Sequence, residues 1–215
     1  MSSRDLLEEI KQDFADTARW TGRAAPSPRV FEALARVRRE EFVPASERAY
    51  AHINAPLPIG HGQTISQPYI VAIMTELLDL EPTHTVLEIG TGSGYQAAIL
   101  GELAARVFSV ETVPELAARA AATLRRLGYA NVEVRTADGW QGWSEHAPYD
   151  AVIVTAAAAE LPAALTAQLK PGGRMIIPIG PAYGEQELRL ITKDAAGAIT
   201  SATILPVAFV PLVRR

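Results

Sequence analysis

Val86-Leu87-Glu88-Ile89-Gly90-Thr91-Gly92-Ser93-Gly94-Tyr95 is the stretch on which the reading of this chain turns. A short apolar run meets three alternate glycines, and an apolar segment follows from Tyr95. The local prediction is a strand, a sharp turn and a helix to Ala105. Glycines let backbone N–H groups approach a ligand closely, and a helix start adds partial positive charge. The same pattern also suits a tight strand–helix connection that binds nothing. A dinucleotide fingerprint spaces its glycines as G-x-G-x-x-G. Here the third glycine comes one position early and Tyr95 fills the expected place, which disfavours a nicotinamide cofactor. No Gly-Lys-Ser/Thr follows, so a phosphate-cradling loop is disfavoured too.

Moving outward, strands are expected at Val107–Glu111, Val132–Val134 and Asp150–Val154. Pro114 opens a helix that stops at Gly128. A helix to Lys170, a Pro171-Gly172-Gly173 turn and a strand at Met175–Ile177 continue the alternation, and strands joined near Gly197 end it. Upstream, Leu6, Ile10, Phe14 and Ala18 share one helical face. Ser27-Pro28 starts a second helix that carries Val30, Phe31, Leu34 and Val37 inward. Tyr50–Pro68 reads as an irregular loop whose apolar residues argue for a functional one. A helix runs from Tyr69 to about Leu80. The sum is an α/β fold, a doubly wound and mostly parallel sheet with helices on both faces. It is read as one domain over residues 1–215, with a helical extension over residues 1–45 and a loop over residues 50–68.

Composition narrows the function. With 215 residues, a net charge of −4 and 20% charged residues, the chain has no general basic field for nucleic acid. It has no cysteine, which removes disulfides and thiolate chemistry and agrees with a cytoplasmic location. No leader, anchor or membrane span is expected. His52, His61, His84 and His146 lack a metal-ligand spacing, so no metal is expected. No segment reads as an exposed apolar interface, so the expected state is a monomer.

Glu111 closes the second strand, 17 residues after Gly94. In an open α/β sheet that position adjoins the glycine turn at the carboxyl ends of the strands, where a carboxylate can accept both hydroxyl hydrogens of a ribose. Alone, such a glutamate is more often a solvated charge. Asp138-Gly139 lies just past the third strand and needs no ligand to form a turn. Ser66 stands just before a helix and also reads as an N-cap. Trp140 and Trp143 read as packing residues under the Asp138 loop, Trp140 alternatively as a wall for an adenine. The pairs Arg38-Arg39 and Arg125-Arg126 read as solvated faces.

Leu57-Pro58-Ile59-Gly60-His61-Gly62-Gln63-Thr64-Ile65-Ser66-Gln67-Pro68 resembles the signature loop of the protein-L-isoaspartate O-methyltransferases. Leu87–Tyr95, Asp138-Gly139, Ala147-Pro148-Tyr149-Asp150, Val154-Thr155-Ala156-Ala157, Gln168–Arg174 and Phe209-Val210-Pro211-Leu212 follow in the family's order. The loop is specific to that family, whereas the glycine run is common to many methyltransferases. The resemblance implies a Rossmann-like fold of the class I methyltransferases and S-adenosyl-L-methionine as cofactor, left as S-adenosyl-L-homocysteine. Ser66 would be the active-site hydroxyl. Gln63, Thr64 and Ser66 would lie across the cofactor, with Gly90, Thr91, Gly92, Ser93 and Gly94 at its amino-acid portion. Glu111 would hold the ribose, and Asp138 and Gly139 would meet the adenine. The tail at Phe209–Leu212 would wall the peptide site. Ala137 departs from the glycine that many members carry before the aspartate.

The implied reaction is methylation of L-isoaspartyl, and by extension D-aspartyl, residues in damaged proteins and peptides, followed by repair through a succinimide. A free α-carboxylate has a pKa near ~3.5 and is ionised at neutral pH, so no general base is needed. Three other readings remain open. They are methylation of ordinary aspartate in one dedicated partner, a cofactor-binding module without catalysis, and a nicotinamide oxidoreductase.

Overall fold

Helix α1 (Ser3–Thr21) begins where Ser2 and Asp5 cap each other, the Ser2 hydroxyl accepting the Asp5 amide at 3.2 Å and the Asp5 carboxylate accepting the Ser2 amide at 2.8 Å. The computed structural model that shows this describes residues 2–214, so both expected domain limits lie outside the described residues. Leu6, Ile10 and Phe14 are buried along one face of α1, as their spacing predicts. Helix α2 (Pro28–Arg36) starts at a Ser27 cap with proline in its first turn. A 3-10 turn at Arg39–Glu41 follows.

The expected loop over residues 50–68 holds more order than its prolines and glycines suggest. A 3-10 turn ends at Tyr50, and strands β1 (Leu57–Gly60) and β2 (Gln63–Ile65) then pair antiparallel as a hairpin. Leu57, Ile59 and Ile65 point into the protein, and the chain reverses through Gly60, His61 and Gly62, all at positive φ. Helix α3 is Pro68–Leu77, ending about a turn before the expected Leu80.

Strand–helix alternation then runs as expected through β3 (Thr85–Ile89), α4 (Tyr95–Leu103), β4 (Arg106–Glu111), α5 (Pro114–Arg126), β5 (Val132–Thr136) and β6 (Tyr149–Val154). It continues with α6 (Ala163–Ala167), β7 (Leu169–Ile179), β8 (Gln186–Lys193) and β9 (Ile199–Val207). The helix expected to reach Lys170 stops at Ala167, because Leu169 already pairs with Tyr149. The Pro171-Gly172-Gly173 turn is a register shift inside β7 rather than a break before it.

The seven main strands lie in the order β5-β4-β3-β6-β7-β8-β9. The first five are parallel, and β8 and β9 return as antiparallel hairpins. Side chains alternate across the sheet. Val86, Ile153 and Ile176 join the core under α1 to α5, while Leu87, Val152 and Met175 face a second core. That second face is covered by the five-residue α6, two 3-10 turns and the chain after β9, so the helical cover is uneven. Burying each such aliphatic side chain is worth roughly 1.5–3 kcal/mol. Strand order reverses between β4 and β6, on either side of β3, so the crevice at the carboxyl end of β3 is the topological switch point. No helix among the described residues is long and apolar enough to cross a membrane.

Candidate active site

The glycine turn leaves β3 at that crevice. Gly90 has φ +95°, and a Cβ there would strike the Thr155 hydroxyl. Thr155 follows β6 directly, and its hydroxyl donates to the Gly90 and Ile89 carbonyls at 2.6 and 3.1 Å. The Gly90 amide donates to the Val110 carbonyl at 2.8 Å. The turn is therefore pinned from both neighbouring strands. Gly94 answers a different need: at φ +88° it caps α4, and a Cβ would press on Ala120 and Leu124 of α5.

Glu111 is 7% exposed, and its carboxylate accepts the Gly92 amide at 2.7 Å and the Val113 amide at 2.9 Å. Each oxygen keeps lone-pair capacity for a further donor. Beneath it, the Ser109 hydroxyl donates to the fully buried Glu88 and lies 2.5 Å from the Thr91 hydroxyl. Burial pushes the Glu88 carboxyl up to about 8, with the nearby Glu111 adding and the Ser109 hydrogen bond opposing. Burial thus favours the protonated form of Glu88 under the turn, and Glu111 is the carboxylate that lines the cleft.

The β1–β2 hairpin closes over this floor. Gln63, Thr64 and Ser66 share one narrow cleft with Gly90, Thr91, Gly92, Ser93 and Glu111. A wider cavity of about 460 Å³ opens beside it, lined by Ser66, Ile70, Pro206 and Phe209 among others. Thr64, Ser66, Thr155 and Val210 belong to both walls, so the two spaces meet at these four residues. The N-cap of α3 is Gln67, with no side-chain capping bond, so Ser66 does not cap the helix. Its hydroxyl has no protein partner among the described residues, and Ser66 lines both spaces.

Gly94, Asp138 and Gly139 are not part of the cleft wall. Asp138 accepts the Trp140 amide at 2.9 Å and caps a 3-10 turn. Gly139 packs against Ile89 and Leu212, both of which do face the cleft. Sequence reasoning missed Thr155, although parallel pairing of Ile89 with Val154 puts it beside Gly90. It also gave the tail only to the peptide side. Phe209 and Val210 line the wide cavity, while Val210–Val213 line the narrow one. The tail is held there by Ala157, which bonds Val210 and Leu212 at 2.8 and 2.7 Å, and by the Trp140 indole donating to the Leu212 carbonyl at 3.1 Å. Trp143 is a core residue, as expected.

The expectation for Arg39 is overturned. It is 2% exposed, and its guanidinium is spent on four backbone carbonyls, that of Ser66 included. Arg38 stays outside, paired with Glu40 and Glu41. Three-and-four periodicity ends with α2, so nothing local distinguishes the two arginines.

The crevice therefore offers a carboxylate with free acceptor capacity beside a glycine turn whose Gly90 leaves no room for a side chain, and a serine where that turn meets a second, wider space. Those residues fit S-adenosyl-L-methionine. A family model described as protein-L-isoaspartate (D-aspartate) O-methyltransferase matches residues 11–215. A curated relative in Syntrophobacter fumaroxidans, protein-L-isoaspartate O-methyltransferase 2, is 58% identical over 207 residues, covering 96% of this chain and 84% of the relative. A solved structure named protein-L-isoaspartate O-methyltransferase superposes with a TM-score of 0.85 at 29% identity, and the chain spans 65% of its length. A Plasmodium falciparum structure, described as a protein-L-isoaspartate O-methyltransferase in complex with S-adenosyl-L-homocysteine, matches end to end at 26% identity with a TM-score of 0.82. The chain belongs to the protein-L-isoaspartate (D-aspartate) O-methyltransferase family.

Proposed function

We propose that this chain methylates the free α-carboxylate of L-isoaspartyl residues, with D-aspartyl residues as a second acceptor, and that Ser66 aims the acceptor. The observation that carries this reading is the meeting of the two spaces at Thr64, Ser66, Thr155 and Val210. Bound S-adenosyl-L-methionine supplies an electrophilic methyl group on a sulfonium. Glu111 would accept the ribose hydroxyls, the Gly90–Gly94 turn would take the amino-acid portion, and Asp138-Gly139 would stand toward the adenine. The acceptor oxygen is already anionic, so methyl transfer moves no proton and asks no base of the protein. What the protein supplies is alignment of acceptor and methyl, worth up to ~7–11 kcal/mol. Ser66 donates to one carboxylate oxygen and turns the other toward the methyl. A charge-assisted bond of that kind is worth about 1.5–3 kcal/mol.

Among the described residues the wide cavity carries no charged side chain in its wall, which suits a peptide or flexible segment whose one carboxylate meets Ser66. The chain would act as a single catalytic domain. Of the large exposed apolar side chains among the described residues, Tyr50 and Ile53 share one turn, while Trp20, Tyr183, Ile199 and Val213 lie in separate segments, which favours a monomer. Absence of cysteine favours the cytoplasm. The test is transfer of labelled methyl to two peptides that differ only in isoaspartate versus aspartate. Base-labile label on the isoaspartyl peptide alone is expected, and label on the aspartyl peptide would redirect the reading to a dedicated partner. Ser66→Ala should lower turnover about 10- to 100-fold with cofactor binding intact. Unchanged turnover would remove the serine from the mechanism.

A further inference from the structure

A guanidinium buried without a counter-ion is a costly feature, because desolvation of the charge is not repaid by an opposite one. Arg39 is such a group: among the described residues it forms no ion pair. It donates from Nη1 to the carbonyls of Ala51 and Ile53 at 2.8 and 3.1 Å, and from Nη2 to those of Ala55 and Ser66 at 2.9 and 3.1 Å. Burial takes it down to about 10, which still leaves it charged at neutral pH. Three of these carbonyls lie on the approach to the β1–β2 hairpin and the fourth on its exit. The guanidinium thus bridges the base of the segment that crosses the cleft, and its last bond goes to Ser66, which lines both spaces.

Fold stability does not call for this arrangement alone. The same segment is tied independently by Asn54, which donates to Asp13 at 2.7 Å and accepts the Tyr69 amide at 3.1 Å. Ile59 and Ile65 add burial on the hairpin itself. A lysine carries three donors on a single nitrogen and cannot span four carbonyls, whereas the planar fork presents paired donors at fixed angles.

We infer that Arg39 is a positioning residue for methyl transfer, setting the height of the Ser66 backbone and so the aim of its hydroxyl at the acceptor carboxylate. This rests on the role of Ser66 proposed above.

The experiment is a double-mutant cycle on the full chain with Arg39→Lys, Ser66→Ala and both together. It reads kcat and KM on an isoaspartyl peptide and Kd for S-adenosyl-L-homocysteine. Arg39→Lys is expected to keep Kd within about twofold while lowering kcat by about tenfold or more, since misalignment costs rate rather than cofactor binding. In the Ser66→Ala background the same change should cost less than about threefold, because the two residues act as one unit. Equal losses in both backgrounds would make Arg39 a general structural staple and overturn the inference. Full turnover in Arg39→Lys beside a slow Ser66→Ala would overturn the inference and leave the serine reading standing. Full turnover in Ser66→Ala would remove the serine reading, and the inference with it. If Arg39→Lys does not fold, Arg39→Ala assayed with added methylguanidinium replaces it. Recovery of kcat at unchanged Kd supports positioning, and no recovery overturns it.

Discussion

Gly90 and Thr155 lie in separate strand–loop connections, yet the shape of the cofactor floor depends on the contact between them. Thr155 holds two carbonyls of the turn and occupies the space a Gly90 side chain would need. Gly90→Ala should therefore lose on two counts, a backbone at φ +95° and a collision with the Thr155 hydroxyl. The expected cost is about 1–3 kcal/mol in chemical denaturation, together with weakened cofactor binding. Adding Thr155→Ala should return part of that cost. A Gly90→Ala protein within about 0.5 kcal/mol of the parent would mean the close approach is absent. Glycine spacing alone marked this turn in the sequence. Its partner was not marked, because a threonine after an apolar strand is unremarkable until strand register puts it opposite.

The hairpin is the element whose placement converts a methyltransferase floor into a two-chambered site. One of its ends is fixed by Arg39, while near its tip Arg119 of α5 donates to the Ile59 carbonyl at 2.6 Å. The side chain of Ile59 lies over Gly92. Loosening this second anchor should affect the cofactor rather than the acceptor. Arg119→Ala is expected to raise Kd for S-adenosyl-L-homocysteine about 2- to 12-fold by calorimetric titration, the worth of a single net hydrogen bond. Thermal midpoint should barely move, since the buried side chains of Ile59 and Ile65 hold the hairpin to the core without this bond. If Kd stays the same, the hairpin tip is held by packing alone. From sequence, this element read as a loop because Pro58 and two glycines hide a short alternation of Leu57, Ile59 and Ile65. Pairing over so few residues is settled by what the inward side chains pack against.

At the scale of the molecule, the buried Glu88 links the glycine-turn crevice to overall stability. Burial pushes its carboxyl up to about 8 in the folded chain, against about 4.3 in an unfolded one. Between those values the folded state binds the extra proton, so its contribution to stability is complete below about 4.3 and is lost as pH rises through about 8. Asp150 behaves oppositely. Burial alone would raise it, but bonds from Lys170 and the Thr85 amide hold it below its ordinary value, so its contribution is lost only in acid. The two windows do not overlap. Thermal midpoints measured from pH 5 to 9 should therefore fall for the parent and stay flatter for Glu88→Gln, which keeps an oxygen for Ser109. Parallel curves would show that Glu88 is ionised throughout. Nothing local in Val86-Leu87-Glu88-Ile89 announces this: the glutamate interrupts an apolar run, and only the strands on either side bury it. The same division runs through the whole chain. Sequence by itself determined the order of strands and helices outside residues 50–68, the glycine turn, the strand-end position of Glu111 and the motif around Ser66. These depend on local spacing, on backbone conformations open only to glycine, and on motif order. Tertiary structure alone decided that Arg39 is buried across four carbonyls, that Thr155 pins the turn, that the tail walls both spaces and that Glu88 is fully buried. Each of these depends on which distant group fills the other half of a contact, and on how much water that contact excludes.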